Sequence, residues 1–244
     1  MAFFFRKLRL KTFSNEKIGN YFKYAIGEII LVVIGILIAI QINNLNEHKK
    51  QKQQEKLYLT ELRKSLENDL NEEFIPAISK YAKLVERHEK LNDFYYSEEV
   101  FANDSLSQYF KSCLTPEWDF VFNTATFENI KSVGINMISN DSLRSKLSYL
   151  YSYSYANIRE VNQNYIRYYD LQMSPLIFDH ININDSPLSS EDLNYLRSSI
   201  QISNRLRHLK RNRSFLYYQL LLPTQEIVET VISDINVELQ KFEE

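Results

Sequence analysis

Four histidines, one cysteine and four glycines set narrow limits on the chemistry this 244-residue chain can carry. His48, His88, His180 and His208 fall in separate segments, with no HExxH and no Glu-x-x-His pair of the kind di-iron bundles use to converge ligands. His88 lies on an apolar stripe. A satisfied core histidine is the expectation there, because a metal site needs converging partners. Cys113 stands alone, so no intramolecular disulfide, CxxC redox pair or cysteine zinc cluster can form. Of the glycines, Gly19, Gly27 and Gly35 lie near the N-terminus and only Gly134 remains beyond them. Phosphate-cradling loops, dinucleotide fingerprints and nucleophile elbows need glycine at positive φ or at close backbone approach, so none is expected. No catalytic, cofactor or metal residue is assigned, and a Ser/His/Asp arrangement scattered over several helices has no local motif to nominate it.

Two clusters have the residue types of a binding surface. Arg205, Arg207, His208, Lys210, Arg211 and Arg213 form a dense basic run with Leu206 and Leu209 between them. Such a run suits nucleic acid or lipid headgroups, or it is a solvated helix face paired with neighbouring acids. Trp118, Phe120, Phe122, Phe127 and the tyrosines from Tyr149 to Tyr169 are the second cluster. Core packing with hydroxyls at the rim accounts for it, and an aromatic groove for a peptide or glycan is the alternative.

The element that must hold these residues in place in the cell is the nineteen-residue stretch Tyr24 to Ile42, in which Glu28 is the single charge. As a helix rising ~1.5 Å per residue it covers roughly the ~30 Å hydrocarbon core of a bilayer. A cleavable secretory signal is the main competing reading. The arm before the apolar run is too long for a signal n-region, however, and Gln41-Ile42-Asn43-Asn44 offers no small-x-small cleavage site. Within the span Glu28, Gly35 and Ala39 stack on one helix face, and Gly35 with Ala39 is a small-xxx-small pair that lets two helices approach closely. Glu28 either serves that contact or snorkels to the headgroups beside Lys23 and Tyr24.

Four segments are expected: a basic aromatic arm over 1–23, the transmembrane helix over 24–42, a polar helical connector over 43–56 and a helical bundle over 57–244. Residues 1–43 hold six Lys/Arg against two acids, net +4, while residues 44–244 hold 23 against 29, net −6. A mildly acidic domain has no reason to seek nucleic acid. Arg6, Lys7, Arg9, Lys11, Lys17 and Lys23 before the span slightly outweigh Lys49, Lys50, Lys52, Lys56 and Arg63 after it. By the positive-inside rule the N-terminus is cytoplasmic and the large domain periplasmic, on a single-pass protein of the inner membrane.

Beyond the span the 3.6-residue period dictates an all-α fold of about five to six helices. Leu59, Leu62, Leu66 and Leu70 make one stripe, and Tyr81, Leu84, His88, Leu91 and Tyr95 a second after Pro76. A short helix starts near Asp104 and ends before Pro116, and another spans Thr124 to Val133 with Gly134 in the C-cap place. Asn140 or Asp141 caps a long helix with the inward stripe Leu143, Leu147, Leu150, Ile158, Val161, Tyr165 and Tyr168. The alternation of Tyr149, Tyr151, Tyr153 and Tyr155 imitates a strand, but the helical stripe runs through both flanks. A loop holds Pro175, Asp179, Asn182, Asn184 and Pro187. Ser189 with Asp192 then caps the next helix, and a last helix from about Asn204 to Lys241 is kinked or interrupted at Pro223.

Three segments carry a resemblance: the start FFRKLR, the anchor YAIGEIILVVIGILIAIQINN with the following Asn46-Glu47, and the internal TFENIKSVGINMISNDSLRSKL. In these the chain resembles an uncharacterised family of single-pass membrane proteins from Bacteroidota, a domain of unknown function. Leu45 stands where that family's NNWNE-like stretch has tryptophan. The resemblance implies an anchored helical domain in a bacterial envelope and supplies no substrate, cofactor or catalytic residue.

The function expected is therefore a membrane-anchored, non-catalytic binding, sensing or scaffolding protein. Its partners are the lipid bilayer, a second copy through the transmembrane helix, and an unidentified protein or small ligand. An oligomeric, channel-like membrane effector and a helical hydrolase are the rival readings, and no cofactor is implied.

Overall fold

The structure, a computed structural model, describes residues 15–96 and 102–243, with side chains from Ala25 onward. All regular structure among the described residues is helical, as the period predicts. The elements are α1 (Asn15–Asn68), α2 (Ile75–Tyr96), α3 (Asn103–Cys113), α4 (Ala125–Val133), α5 (Asp141–Tyr149), α6 (Tyr155–Tyr168), α7 (Ser174–His180), α8 (Ser190–Ser198), α9 (Ile200–Phe215) and α10 (Leu222–Gln240). Wide π-helical turns over Asp69–Phe74, Leu150–Ser154, Tyr169–Met173 and Leu216–Leu221 join several of them without a break. Counted through those turns there are six helical runs.

Prolines explain three of the four wide turns. A proline inside a helix lacks its N–H and clashes with the carbonyl four residues earlier. For Pro76, Pro175 and Pro223 those carbonyls belong to Glu72, Leu171 and Gln219, each inside a π turn. The chain widens its helix there instead of ending it. Pro175 thus opens α7 and does not lie in a loop, contrary to the expectation from sequence, and the helix of Pro223 begins at Ile200, capped by Ser199, earlier than Asn204. The turn at Leu150–Ser154 has no proline to cause it.

The remaining stop and start signals act as the sequence indicates. Asn140 accepts the Leu143 amide at 3.1 Å and Ser189 accepts that of Asp192 at 3.0 Å. Gly134 ends α4 at φ 122°, a conformation that a Cβ disfavours. The tyrosine alternation proves to be two i,i+4 pairs of one helix, Tyr151 and Tyr155 buried, Tyr149 and Tyr153 exposed.

Two units are described separately. In the first, residues up to Gln54, every side chain from Ile26 to Gln54 is exposed, including the apolar series Ile29 to Ile40. The second, Glu55–Glu244, holds two apolar cores. One gathers Leu59, Leu62, Leu66, Phe74, Phe122 and Tyr155 with Val228 and Val231 of α10. The other gathers Leu91, Phe110, Met173, Leu196 and Leu209. Glu55, the first buried residue of this unit, accepts both the amide and the hydroxyl of Ser139, at 2.6 and 2.7 Å, and so fixes the start of α5 against α1.

Candidate functional site

Between the two cores runs a polar seam. Along α2, His88 separates Leu84 of the first core from Leu91 of the second. Along α9, Arg213 separates Leu216 from Leu209, and in the connector after α3, Glu117 separates Phe120 from Leu114. Arg213 is fully buried, and its five N–H groups are all engaged. Nε and Nη2 donate to Glu117 Oε1 at 2.9 and 2.8 Å. Nη1 donates to the Cys113 carbonyl at 2.7 Å and to His88 Nε2 at 3.0 Å, and Nη2 to the Thr115 carbonyl at 2.8 Å. The other oxygen of Glu117 accepts the Tyr81 hydroxyl at 3.0 Å.

The reason for such a concentration of charge lies in the connector, Leu114 to Thr124. It runs without helix or strand, so its backbone polar groups have no ladder to join. Side chains take over that task. Tyr169 donates to the Leu114 carbonyl, Lys80 to that of Pro116 at 2.9 Å and Asn162 to that of Trp118. Tyr81 accepts the Trp118 amide at 3.3 Å and Asp69 the Asn123 amide at 2.8 Å, while the Trp118 ring nitrogen donates to Glu73 at 2.9 Å. The seam is thus a latch holding one irregular strand of chain between two cores.

Its electrostatics suit that task. Burial, with the charge of Arg213 and then Lys210, holds His88 uncharged far below the usual imidazole range. An arginine has only donors, so Nε2 accepts and the ring proton sits on Nδ1. Burial pushes the Cys113 thiol up to about 12, which removes it as a thiolate at neutral pH. At the π turn after α1, Asp69 is 2 % exposed with the Tyr155 hydroxyl beside its carboxyl, and the buried Tyr151 hydroxyl has no hydrogen-bond partner among the described residues. Burial raises the Asp69 carboxyl to about 6 against the opposing Asn123 amide and the nearby Tyr155 hydroxyl, with Glu73 adding to the rise.

The residues singled out from sequence separate into three groups. Glu28, Gly35, Ala39 and Ile42 are exposed along the apolar part of α1, where a Cβ added at Gly35 would meet nothing within 4 Å; the Tyr24 side chain lies outside the described residues. The arm's residues 1–14 lie outside them as well. Of the basic run, Arg207 and Arg211 are exposed, and Arg205 and Lys210 are half-buried. Arg205 donates to the Gln172 carbonyl, Arg207 lies over the Tyr96 ring at 5.0 Å and Arg211 approaches His208 at 3.1 Å. Arg213 is not part of that surface: a carboxylate, an imidazole and two carbonyls enclose it. The signal was present in the spacing Ile202, Leu206, Leu209, Leu216, Leu220, whose only vacant stripe position is 213. Tyr81 lay on the second apolar stripe, whereas Glu117 lies in irregular chain and Asp69 outside the expected stripe, so neither had such a signal. The aromatics Phe120, Phe122 and Phe127 are core residues, Phe122 stacking on Tyr155 at 4.0 Å and Phe127 on Tyr151 at 4.5 Å.

A family model described as a family of unknown function, DUF6090, matches residues 28–174, more than half of the chain and inclusive of most of the apolar span. No curated protein and no solved structure matches.

Proposed function

The chain belongs to DUF6090, a family of unknown function, and from that membership and the site geometry we propose that it is a single-pass membrane protein whose helical domain binds or scaffolds a partner in the bacterial envelope. The observation that carries the reading is the exposure of every side chain from Ile26 to Ile42 on a helix long and apolar enough to cross a bilayer. In water so large a contiguous apolar surface would drive association; in lipid it is at rest. Charge supports the orientation, with the cationic arm on the cytoplasmic side and the net-negative domain in the periplasm. The seam fixes the shape of that domain, with Arg213 and Glu117 engaged by the protein's own side chains and carbonyls. Reporter fusions after Glu55 and at Glu244, combined with alkaline extraction of membranes, test both parts. Retention in the extracted membrane with periplasmic reporter activity at both sites is the expected result, and a soluble full-length chain or cytoplasmic activity overturns it.

A further inference from the structure

A small cleft of about 20 Å³ opens between α2 and α9, lined by the buried His88 and Leu91 and by the more exposed Tyr96, Ser203, Arg207 and Lys210. Its walls are tied together by the Tyr96 hydroxyl, 3.2 Å from Ser203 Oγ, and the Tyr95 hydroxyl donates to the Leu196 carbonyl of α8. Arg207 is held over the Tyr96 ring, and no ion pair engages Arg207 or Lys210 among the described residues. Arg213 takes Nε2 of His88, which places the ring proton on Nδ1 of a side chain that is 2 % exposed and lines the cleft. The charges acting on His88 are those of Arg213 and Lys210, both positive, with no carboxylate among them.

We infer that this cleft is a binding site for a phosphate-type oxyanion, one oxygen of which enters the cleft against His88 Nδ1–H while Arg207 and Lys210 hold the others. At about 20 Å³ the cleft as a whole has room for one oxygen atom, since a cavity of ~10–15 Å³ already holds a water. Neutral imidazole N–H donation beside two cations is complementary to a tetrahedral anion, and Arg207, held over the Tyr96 ring, gives it a planar fork. The inference rests on reading the domain as a binding module but not on the membrane anchor, so that anchoring and anion binding fail separately.

Isothermal titration of the full-length chain in a neutral detergent with inorganic phosphate, at constant ionic strength set by chloride, tests it, with ring-labelled histidine followed by NMR. Saturable binding is expected, with a shift in the His88 ring resonance, assigned by its loss in His88→Gln. Lys210→Gln and Arg207→Gln should each weaken binding by roughly tenfold, the loss of one charge-assisted contact. Lys131→Gln, paired with Glu128 on α4, should leave it unchanged. Nanodiscs containing phosphatidylglycerol identify the source: a shift of the same resonance without added phosphate marks a lipid headgroup, and its absence beside a positive phosphate titration marks a free phosphate. A response to phosphate equal to that of chloride, or one insensitive to both substitutions, means an adventitious ion only and overturns the inference.

Discussion

At the scale of single residues the seam and the Asp69 cluster make opposite demands on charge. Arg213 and Glu117 are both buried as a pair with every donor and acceptor used, so removing one partner strands the other. Arg213→Ala should cost about 3–5 kcal/mol of stability. Arg213→Met with Glu117→Leu should cost much less than the two single changes added together, because no buried charge is left over; denaturant melts of the four proteins give the coupling. Asp69 is the reverse case, a carboxyl whose charged form is disfavoured. Its proton leaves near 3.8 in the unfolded chain and near 6 in the folded one, so between those values the folded state binds more protons. This contribution to stability is therefore present at acidic pH and lost as pH rises through about 6. The groups facing it are Glu73, the Asn123 amide and the hydroxyls of Tyr151 and Tyr155. Asp69→Asn should abolish that slope, so that variant and parent converge in melting temperature near pH 4 and diverge in the variant's favour by pH 7. Parallel curves for the two proteins over that range would contradict the assignment.

At the scale of elements, the caps and the stripes were legible in the sequence because each is a local signal: Asn140, Ser189 and Gly134 act within one turn of the residues they cap. Gly134→Ala should lower stability by about 1–3 kcal/mol, the typical cost of forcing a side chain into such a backbone region, measured by thermal unfolding. Gly35→Ala, with nothing within 4 Å of the added Cβ, should leave the domain's unfolding unchanged. The π turns were not legible, although the prolines that provoke three of them were. Each wide turn inserts an extra residue relative to the 3.6 period and shifts the buried face by one position. Ile158 is buried as the stripe predicts, while Asn162 and Tyr169 are buried one position beyond the expected Val161 and Tyr168. The seam was half legible for a related reason. His88 and Arg213 occupy stripe positions and announce themselves as polar groups in apolar company, whereas Glu117 lies in irregular chain with no period to violate.

At the scale of the whole molecule, two facts constrain how copies of the chain meet. The twelve Ile, Leu and Val side chains between Ile26 and Ile42 favour insertion by roughly 4 to 7 kcal/mol on translocon scales, enough to outweigh a single carboxyl near one end of the span. Once in lipid, hydrophobicity no longer drives helices together, and close approach depends on small residues on one face. Gly35 and Ala39 supply such a face, with Glu28 seven residues before Gly35 on the same side. Cysteine crosslinking reads this directly, because the native Cys113 is fully buried and its thiol stays protonated, leaving an engineered cysteine as the reporter. Gly35→Cys should form disulfide-linked dimers in native membranes far more readily than Leu37→Cys, which lies ~200° around the helix. Adding Ala39→Leu to Gly35→Cys should suppress the crosslink, since a bulky side chain at that position holds the two backbones apart. Equal crosslinking at 35 and 37, unmoved by Ala39→Leu, would mean random collision in the bilayer and would leave the helix as a tether without a partner.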